Sequence, residues 1–294
     1  MARSDFTPDG RPNVDTIGLS RRARGDAYVA LLATPWWRLI ALFALGYFGA
    51  NAVFACAYLV AGDAIANARP GSFSDAFFFS VQTMATIGYG GMAPRTLTGN
   101  LIVALESMVG VIGFAMVTGL TFAKFSRPTA RVIFSRVAVV SSRDGVRSLM
   151  FRMANERGRS AIVEAQAHVV FARDERTAEG EEIRRFHDLP LLRNKNALFA
   201  LSWTAVHPIT EGSPLHGVTP EMLHAQNVAF IVSVTGIDET VTQTVHARHT
   251  YGPAEVVWEA RFADILSTAP DGRRRIDYSR FHEVTAAPSR PGTS

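Results

Sequence analysis

The sequence predicts a helical membrane domain with two spans and a re-entrant helix between them, followed by an all-β domain. Three observations carry this expectation. Leu39 to Val60, LIALFALGYFGANAVFACAYLV, holds no charged residue and has about the twenty residues needed to cross a hydrocarbon core. Leu101 to Phe125 is similarly long and apolar, broken only by Glu106 near its start and Lys124 at its end. Beyond Phe125 the pattern changes to short runs rich in β-branched and aromatic residues, separated by turn clusters such as SSRDG and HPITEGSP.

Taken in order, residues 1 to 25 are polar and rich in Asp, Arg, Pro and Gly, a composition that suits a loosely ordered segment. Met1 to Thr34 lacks the short apolar core and small-residue site of a cleaved signal, so none is expected. Asp26 is placed to cap a short interfacial helix within GDAYVALLATPWW, which Pro35 breaks just before the first span. Trp36 and Trp37 sit where an aromatic belt belongs. Between the spans, Ser74 is placed to cap a helix beginning at Asp75. The apolar run that follows it, about ten residues, is too short to span and reads as re-entrant. Irregular backbone at that depth survives only where protein or a watery cavity covers it.

Strands are expected over Arg136 to Ser141, Ala161 to Phe171, Leu198 to Val206, Val228 to Thr235, Thr240 to Tyr251 and Ala254 to Phe262. Together they predict an antiparallel β-sandwich. The expected divisions are residues 1–35, 36–127, 128–285 and a disordered tail, 286–294.

Basic residues set the orientation. Arg21, Arg22, Arg24 and Arg38 flank the first span's start, and Lys124, Arg127, Arg131 and Arg136 flank the second span's end. Only Arg69 and Arg95 lie between the spans. Both termini are therefore expected in the cytoplasm of a multi-pass cell (plasma or inner) membrane protein. The net charge of +4 fits bases hugging anionic lipid and does not call for nucleic acid. A single cysteine, Cys56, excludes a disulfide within the chain. The eight histidines show no metal-binding spacing. His246 and His249, three apart on an expected strand, face opposite sides, and proton sensing by histidine stays open.

The re-entrant helix leads into TIGYG, Thr86 to Gly90. A potassium ion entering a bilayer must exchange its water for a ring of oxygens, and backbone carbonyls aimed to one side supply them. Gly88 and Gly90 permit the left-handed dihedrals that such aiming needs. Thr86 adds a hydroxyl at the inner end, and Tyr89 is expected to turn its ring outward into packing. One such strand cannot surround an ion, so the pentapeptide predicts a homotetramer around a central pore. Potassium would be held at Thr86, Ile87, Gly88 and Tyr89, with no cofactor. A membrane-anchored β-sandwich receptor with a vestigial filter is the alternative. An enzyme is not expected, since no nucleophile, base and orienting acid stand out.

With TMATIGYGGMAP, ESMVGVIGFAMVTGLTFAKFSRP, VTGIDETVTQTVHARHTYG and WEARFADIL in place, the chain resembles the prokaryotic (KirBac) branch of the inward-rectifier potassium channels from Asp26 to about Leu266. The resemblance implies a tetramer whose immunoglobulin-like cytoplasmic domains extend the pore, gated by anionic phospholipid or phosphoinositide. It places a constriction at Phe122 with Leu120 nearby, and a hinge at Gly110 or Gly119, whereas small-residue packing is the expectation for Gly113. It aligns Glu164 and Glu239 with acids of the cytoplasmic pore, and Val241 to Arg248 with the loop that narrows it. Arg38, Lys124, Arg127 and Arg131 fall where lipid would bind. The chain departs from the family pattern at Phe114, where strong rectifiers carry a cavity acid, and at Gln82 and Gly91 around the filter. Glu106, costly in a span, is expected to make a structural hydrogen bond behind the re-entrant helix.

Overall fold

The computed structural model describes residue 7 and residues 27–126, 130–158 and 160–287. Asp26, Arg127 and the tail beyond residue 287 lie outside them, so the expectations placed there concern undescribed residues. The chain forms two compact units whose boundary falls between Arg127 and Pro128.

In the first unit α1 (Ala27–Ala33) is followed by α2 (Trp36–Val60), with Pro35 at the N-cap of α2, where its missing N–H costs nothing. After α2 come β1 (Ile65–Ala66), α3 (Phe73–Met84), β2 (Ala93–Pro94) and α4 (Leu97–Phe125), with β1 and β2 pairing antiparallel. The helices α2 and α4 are long and apolar enough to cross a membrane, and few of their residues are buried within the chain. Both spans start earlier than the hydropathy run alone implies. For α4 the reason is Thr96, whose hydroxyl accepts from the Gly99 amide at 3.0 Å and caps the helix.

The cap of α3 is a correction. Ser72, not Ser74, accepts from the Asp75 amide at 3.3 Å, and the helix begins at Phe73. Ser74 lies two residues on, with its hydroxyl 3.1 Å from that of Ser72.

The second unit holds β3 (Val132–Phe134), β4 (Ala138–Arg143), β5 (Val146–Asn155), β6 (Ile162–Arg176), β7 (Glu182–Asp188), β8 (Lys195–Phe199), β9 (Ser202–Pro208), α5 (Pro220–Ala225), β10 (Ala229–Asp238) and β11 (Gln243–Tyr251). Short strands β12 (Val256–Trp258), β13 (Ala260–Phe262), β14 (Leu266–Thr268), β15 (Arg274–Ile276) and β16 (Val284–Ala286) complete it. One sheet runs β11-β10-β6-β7, with β8 also on β6. A second runs β12-β4-β5-β3, with β9 also on β5. A single core joins them, with Val140, Leu149, Phe151 and Trp203 from one sheet against Val169, Phe171, Phe230 and Val232 from the other. The expected sandwich is present, with one departure from antiparallel pairing, since β12 runs parallel to β4.

Among the longer strands, β5 and β7 were not foreseen, nor were the three-residue strands β3, β14, β15 and β16. The expected strand Leu198 to Val206 divides into β8 and β9. Ala254 to Phe262 likewise breaks into a short 3-10 turn, β12 and β13, with Glu259 at φ 49° between the two strands.

Candidate functional site

The site begins at the C-terminal end of α3. Three amides fold back onto that end: Ala85 N donates to Val81 O (3.0 Å), Thr86 N to Thr83 O (3.0 Å) and Ile87 N to Gln82 O (2.8 Å). The backbone then runs with positive φ at Thr86 (56°), Gly88 (59°) and Gly90 (81°), but not at Ile87 or Tyr89. Left-handed dihedrals were expected at the two glycines. Thr86 was missed, because a β-branched residue is a poor candidate for that region. Partial negative charge at the helix C-terminus faces the start of this segment, which favours a cation there. The segment is exposed throughout, and Tyr89 is 77% exposed, so one chain offers its ring little packing.

Both ends of α3 are held. At the N-terminus the Asp75 carboxylate accepts from the Arg69 amide (2.9 Å), Nε (3.0 Å) and Nη2 (2.7 Å), and it complements the helix dipole. Past the filter, Asn67 Nδ2 donates to the Gly91 carbonyl at 3.0 Å.

Behind α3 lies a buried polar cluster drawn from three helices. Glu106 of α4, 0% exposed, accepts from the Tyr58 hydroxyl of α2 at 2.5 Å and meets the Ser80 hydroxyl of α3. Ser80 Oγ is also 2.9 Å from Asn51 Oδ1, while Asn51 Nδ2 donates to Tyr47 O at 2.8 Å and reaches Met84 Sδ at 3.4 Å. The hydrogen bond expected of Glu106 is therefore present. Its partners on α2 went unnoticed, although Asn51, Ala55 and Tyr58 recur at i, i+4 and i+7, the spacing of one helix face, and all three are buried.

At Gly110 α4 passes close to α3, since a Cβ there would lie 2.7 Å from the Met84 carbonyl oxygen. Packing was the expectation for Gly113 and a hinge for Gly110 or Gly119. Instead the close approach falls on Gly110, while Gly113 and Gly119 have nothing within 4 Å in this chain. Phe114 and Phe122 are exposed on α4, and Leu120 is half-buried.

Among the expected lipid contacts, Arg38 is exposed with its guanidinium over the Trp37 ring, 5.0 Å from the centroid. Lys124 is already engaged. Its Nζ donates to the Leu32 carbonyl (2.8 Å) and the Thr34 carbonyl (2.6 Å), tying the end of α1 to α4. Arg131, in the second unit, is exposed at φ 40°, and its carbonyl accepts from the Glu156 amide.

In the β domain Glu164 and Glu239 come to the same end of the β6–β10 pair. Glu164 sits at a bulge (φ 51°) where the β6–β10 register shifts around Gly236, and Glu239 Oε2 accepts from the Ala161 amide at 3.3 Å. Both are exposed. Val241 to Arg248 covers the end of the β10–β11 hairpin and the first part of β11. His246 bonds the Thr235 hydroxyl at 3.2 Å, whereas His249 stacks on Phe134, and burial lowers its pKa. Among the described residues no cluster of histidine, cysteine or acid side chains is arranged for a metal.

Comparison with known proteins agrees with this architecture. Residues 132–294 match the model of the inward rectifier potassium channel C-terminal domain, and residues 47–127 match that of an ion channel. The chain is 47% identical over 277 residues to the inward rectifier potassium channel Kirbac3.1 of Paramagnetospirillum magnetotacticum, covering 94% of each. It is 30% identical to inward rectifier potassium channel 18 of Homo sapiens, over 94% of this chain and 68% of that one.

Proposed function

This chain belongs to the inward rectifier potassium channel family, a family of membrane channels and not enzymes, and we propose that four copies of it surround one potassium-selective pore. The observation that carries the reading is the alternation of φ through Thr86, Gly88 and Gly90 at the end of the capped helix α3. Such alternation cancels the usual reversal of carbonyl direction along a strand, so that Thr86, Ile87, Gly88 and Tyr89 aim successive carbonyls at one axis. Symmetry-related copies close the ring and give Tyr89 its packing.

In this reading residues 36–127 form the pore domain, residues 128–285 a cytoplasmic extension and residues 1–35 a cytoplasmic lead-in with an interfacial helix, with both termini on the cytoplasmic side of the cell membrane. The α4 helices narrow the pore at Phe122 and Leu120, where a ring of apolar side chains stops ions by dewetting. Phe114 lines the cavity where an acid would attract blocking cations, so block from the inside is weak. Glu164 and Glu239 concentrate cations in the cytoplasmic pore. Anionic lipid gates the channel through Arg38, Arg127 and Arg131. Lys124 contributes mainly by fastening α1 to α4, with its third N–H left for a headgroup.

The test is rubidium uptake into liposomes holding the purified protein, with barium as blocker, sodium as comparison and Gly88→Ala as control. Selective, barium-sensitive uptake that Gly88→Ala abolishes is the expected result. A verified tetramer that passes no ions across several lipid compositions would overturn the proposal.

A further inference from the structure

Strand alternation puts Val139, Ser141 and Arg143 of β4 on one face of the second sheet with Met150 and Arg152 of β5 and Thr204 and Val206 of β9; Val139 stands opposite Met150, Met150 opposite Val206 and Arg152 opposite Thr204. This face looks away from the main core. Its apolar part, Val139, Met150 and Val206, packs under Ala260, with Phe262 and Val284 against it. Its polar part borders a cavity of about 250 Å3 lined by Ser141, Ser142, Arg143, Arg152, Thr204 and Arg261, with Met150 and Phe262 as apolar wall.

Three arginines line this space together with Ser141 and Thr204, which share the face, while Ser142 borders it from the neighbouring position, and no carboxylate lines it. Arg152 is 7% exposed. Its Nη2 donates to the Ala263 carbonyl at 2.8 Å, and its guanidinium lies over the Phe262 and Phe281 rings at 4.8 and 5.9 Å. Its Nη1 is buried with no hydrogen-bond partner among the described residues. Arg143 reaches only the Met150 sulfur, at 3.9 Å, and Arg261 is exposed with no ion-pair partner among the described residues. The only acid felt by Arg152 is Asp264, which does not pair with it. Burial lowers the guanidinium's pKa, and Asp264 partly offsets that.

A guanidinium stays charged in proteins, and burying it without a counter-charge is strongly unfavourable. The usual remedy is a paired carboxylate; among the described residues none pairs with Arg152, and Asp264 offsets only part of the cost. We propose that this cavity binds a phosphate-bearing anion, held by Arg143, Arg152 and Arg261 with Ser141 and Thr204 as further donors. A tetrahedral oxyanion accepts hydrogen bonds from several directions at once. The arginine fork matches two of its oxygens, as it would a carboxylate's, and the tetrahedral anion keeps further oxygens for the other arginines and the hydroxyls. The site lies wholly within the β domain and goes beyond the channel reading, on whose success it does not depend.

The experiment is calorimetric titration of the full-length protein in phosphatidylcholine nanodiscs with inorganic phosphate, at constant ionic strength in chloride. The wild type is compared with Arg143→Gln/Arg261→Gln. Both substituted residues border the cavity without the deep burial of Arg152, so the fold should persist, and a melting curve in phosphate-free buffer checks this. Saturable binding near one phosphate per chain, weakened at least about tenfold in the double variant, is the expected result. A second arm replaces phosphate with vesicles containing phosphatidylglycerol. If the double variant weakens vesicle binding as well, the anion is a lipid headgroup. Vesicle binding unchanged beside weakened phosphate binding makes it a soluble phosphate. No saturable phosphate binding to the wild type, or equal binding by wild type and a folded double variant, would overturn the site.

Discussion

Gly110→Ala is a substitution whose sign the structure decides. Helix propensity alone favours alanine by about 1 kcal/mol inside a helix such as α4. Opposing it, the new Cβ would lie 2.7 Å from the Met84 carbonyl oxygen and 3.0 Å from Met84 Cγ, where ordinary contact begins at 3.4 Å. The Met84 carbonyl is backbone, at the last residue of α3 and two residues before Thr86, so it cannot swing aside like a flexible side chain. Overpacking of this kind costs about 1–3 kcal/mol, which equals or exceeds the propensity gain in every chain. Gly46→Ala on α2 is the control, because a Cβ there meets nothing within 4 Å and keeps the gain. In lipid–detergent micelles, tryptophan fluorescence on heating should therefore give Gly110→Ala a midpoint a few degrees below that of Gly46→Ala. Because the displaced atom leads into the filter, the rubidium-to-sodium uptake ratio should fall as well. A Gly110→Ala midpoint at or above that of Gly46→Ala, with the uptake ratio unchanged, would refute the packing argument.

Glu106→Leu should strand the Tyr58 hydroxyl at a cost of about 1–3 kcal/mol, while Ser80 keeps Asn51 Oδ1 as acceptor, read as a lowered thermal midpoint. Glu106→Gln should be far milder, since the amide still accepts from Tyr58 and offers Ser80 a donor while Ser80 serves Asn51; equal damage from the two changes would count against the network. In the β domain His207 is buried between the Pro190 carbonyl and the Ser213 hydroxyl, each 2.7 Å away, and burial lowers its pKa although the Pro190 carbonyl raises it in part. The unfolded chain thus takes up the proton first, so this contribution to stability is whole above pH of about 6.5 and shrinks as pH falls below it. Urea midpoints measured from pH 8 to 5 should drop less steeply in His207→Asn, and identical slopes would remove His207 as the cause. Gly236→Ala places a Cβ 3.0 Å from the Val163 carbonyl oxygen and 3.1 Å from Ala165 Cα at the β6 bulge, and should lower the urea-derived stability by about 1–3 kcal/mol. A neutral result would mean that the bulge yields.

The sequence is most legible where one physical constraint dominates. One uncharged stretch of spanning length, and a second broken only by Glu106 and Lys124, point to spans, and α2 and α4 are helices long and apolar enough to cross a membrane. It is less legible where neighbours compete for one role. In GSFSD both serines are plausible caps, and Ser72 wins because it stands three residues before Asp75, whose amide it accepts. Strand β5 was overlooked because VRSLMFRMAN lacks clean alternation. It lies between β4 and both β9 and β3, and its last eight residues are buried on both faces. Strand β7 was overlooked for the opposite reason: EIRRFHD is almost wholly polar and forms the sheet's edge, where charge is tolerated. Of the arginines of the β-domain cavity, Arg143 and Arg152 come from the neighbouring strands β4 and β5 while Arg261 comes from β13 much further along the chain, so no local pattern could have joined all three.

Thr86 shows the deeper limit. A left-handed threonine is a few kcal/mol less comfortable than a glycine in the same place, so propensity argues for a filter bent only at Gly88 and Gly90. Such strain persists when the surroundings determine the backbone more strongly than the residue does. Here they do, since the Thr86 and Ile87 amides are both drawn back onto the last turn of α3, and α3 is itself held at Ser72, Asp75, Ser80 and Met84. A glycine at 86 would adopt the same φ with less strain but would lose the hydroxyl at the inner end of the carbonyl row. The strained residue is thus the one position in the pentapeptide where side chain and backbone are both in demand. Glycine satisfies the backbone at 88 and 90, where the proposed filter asks nothing of a side chain.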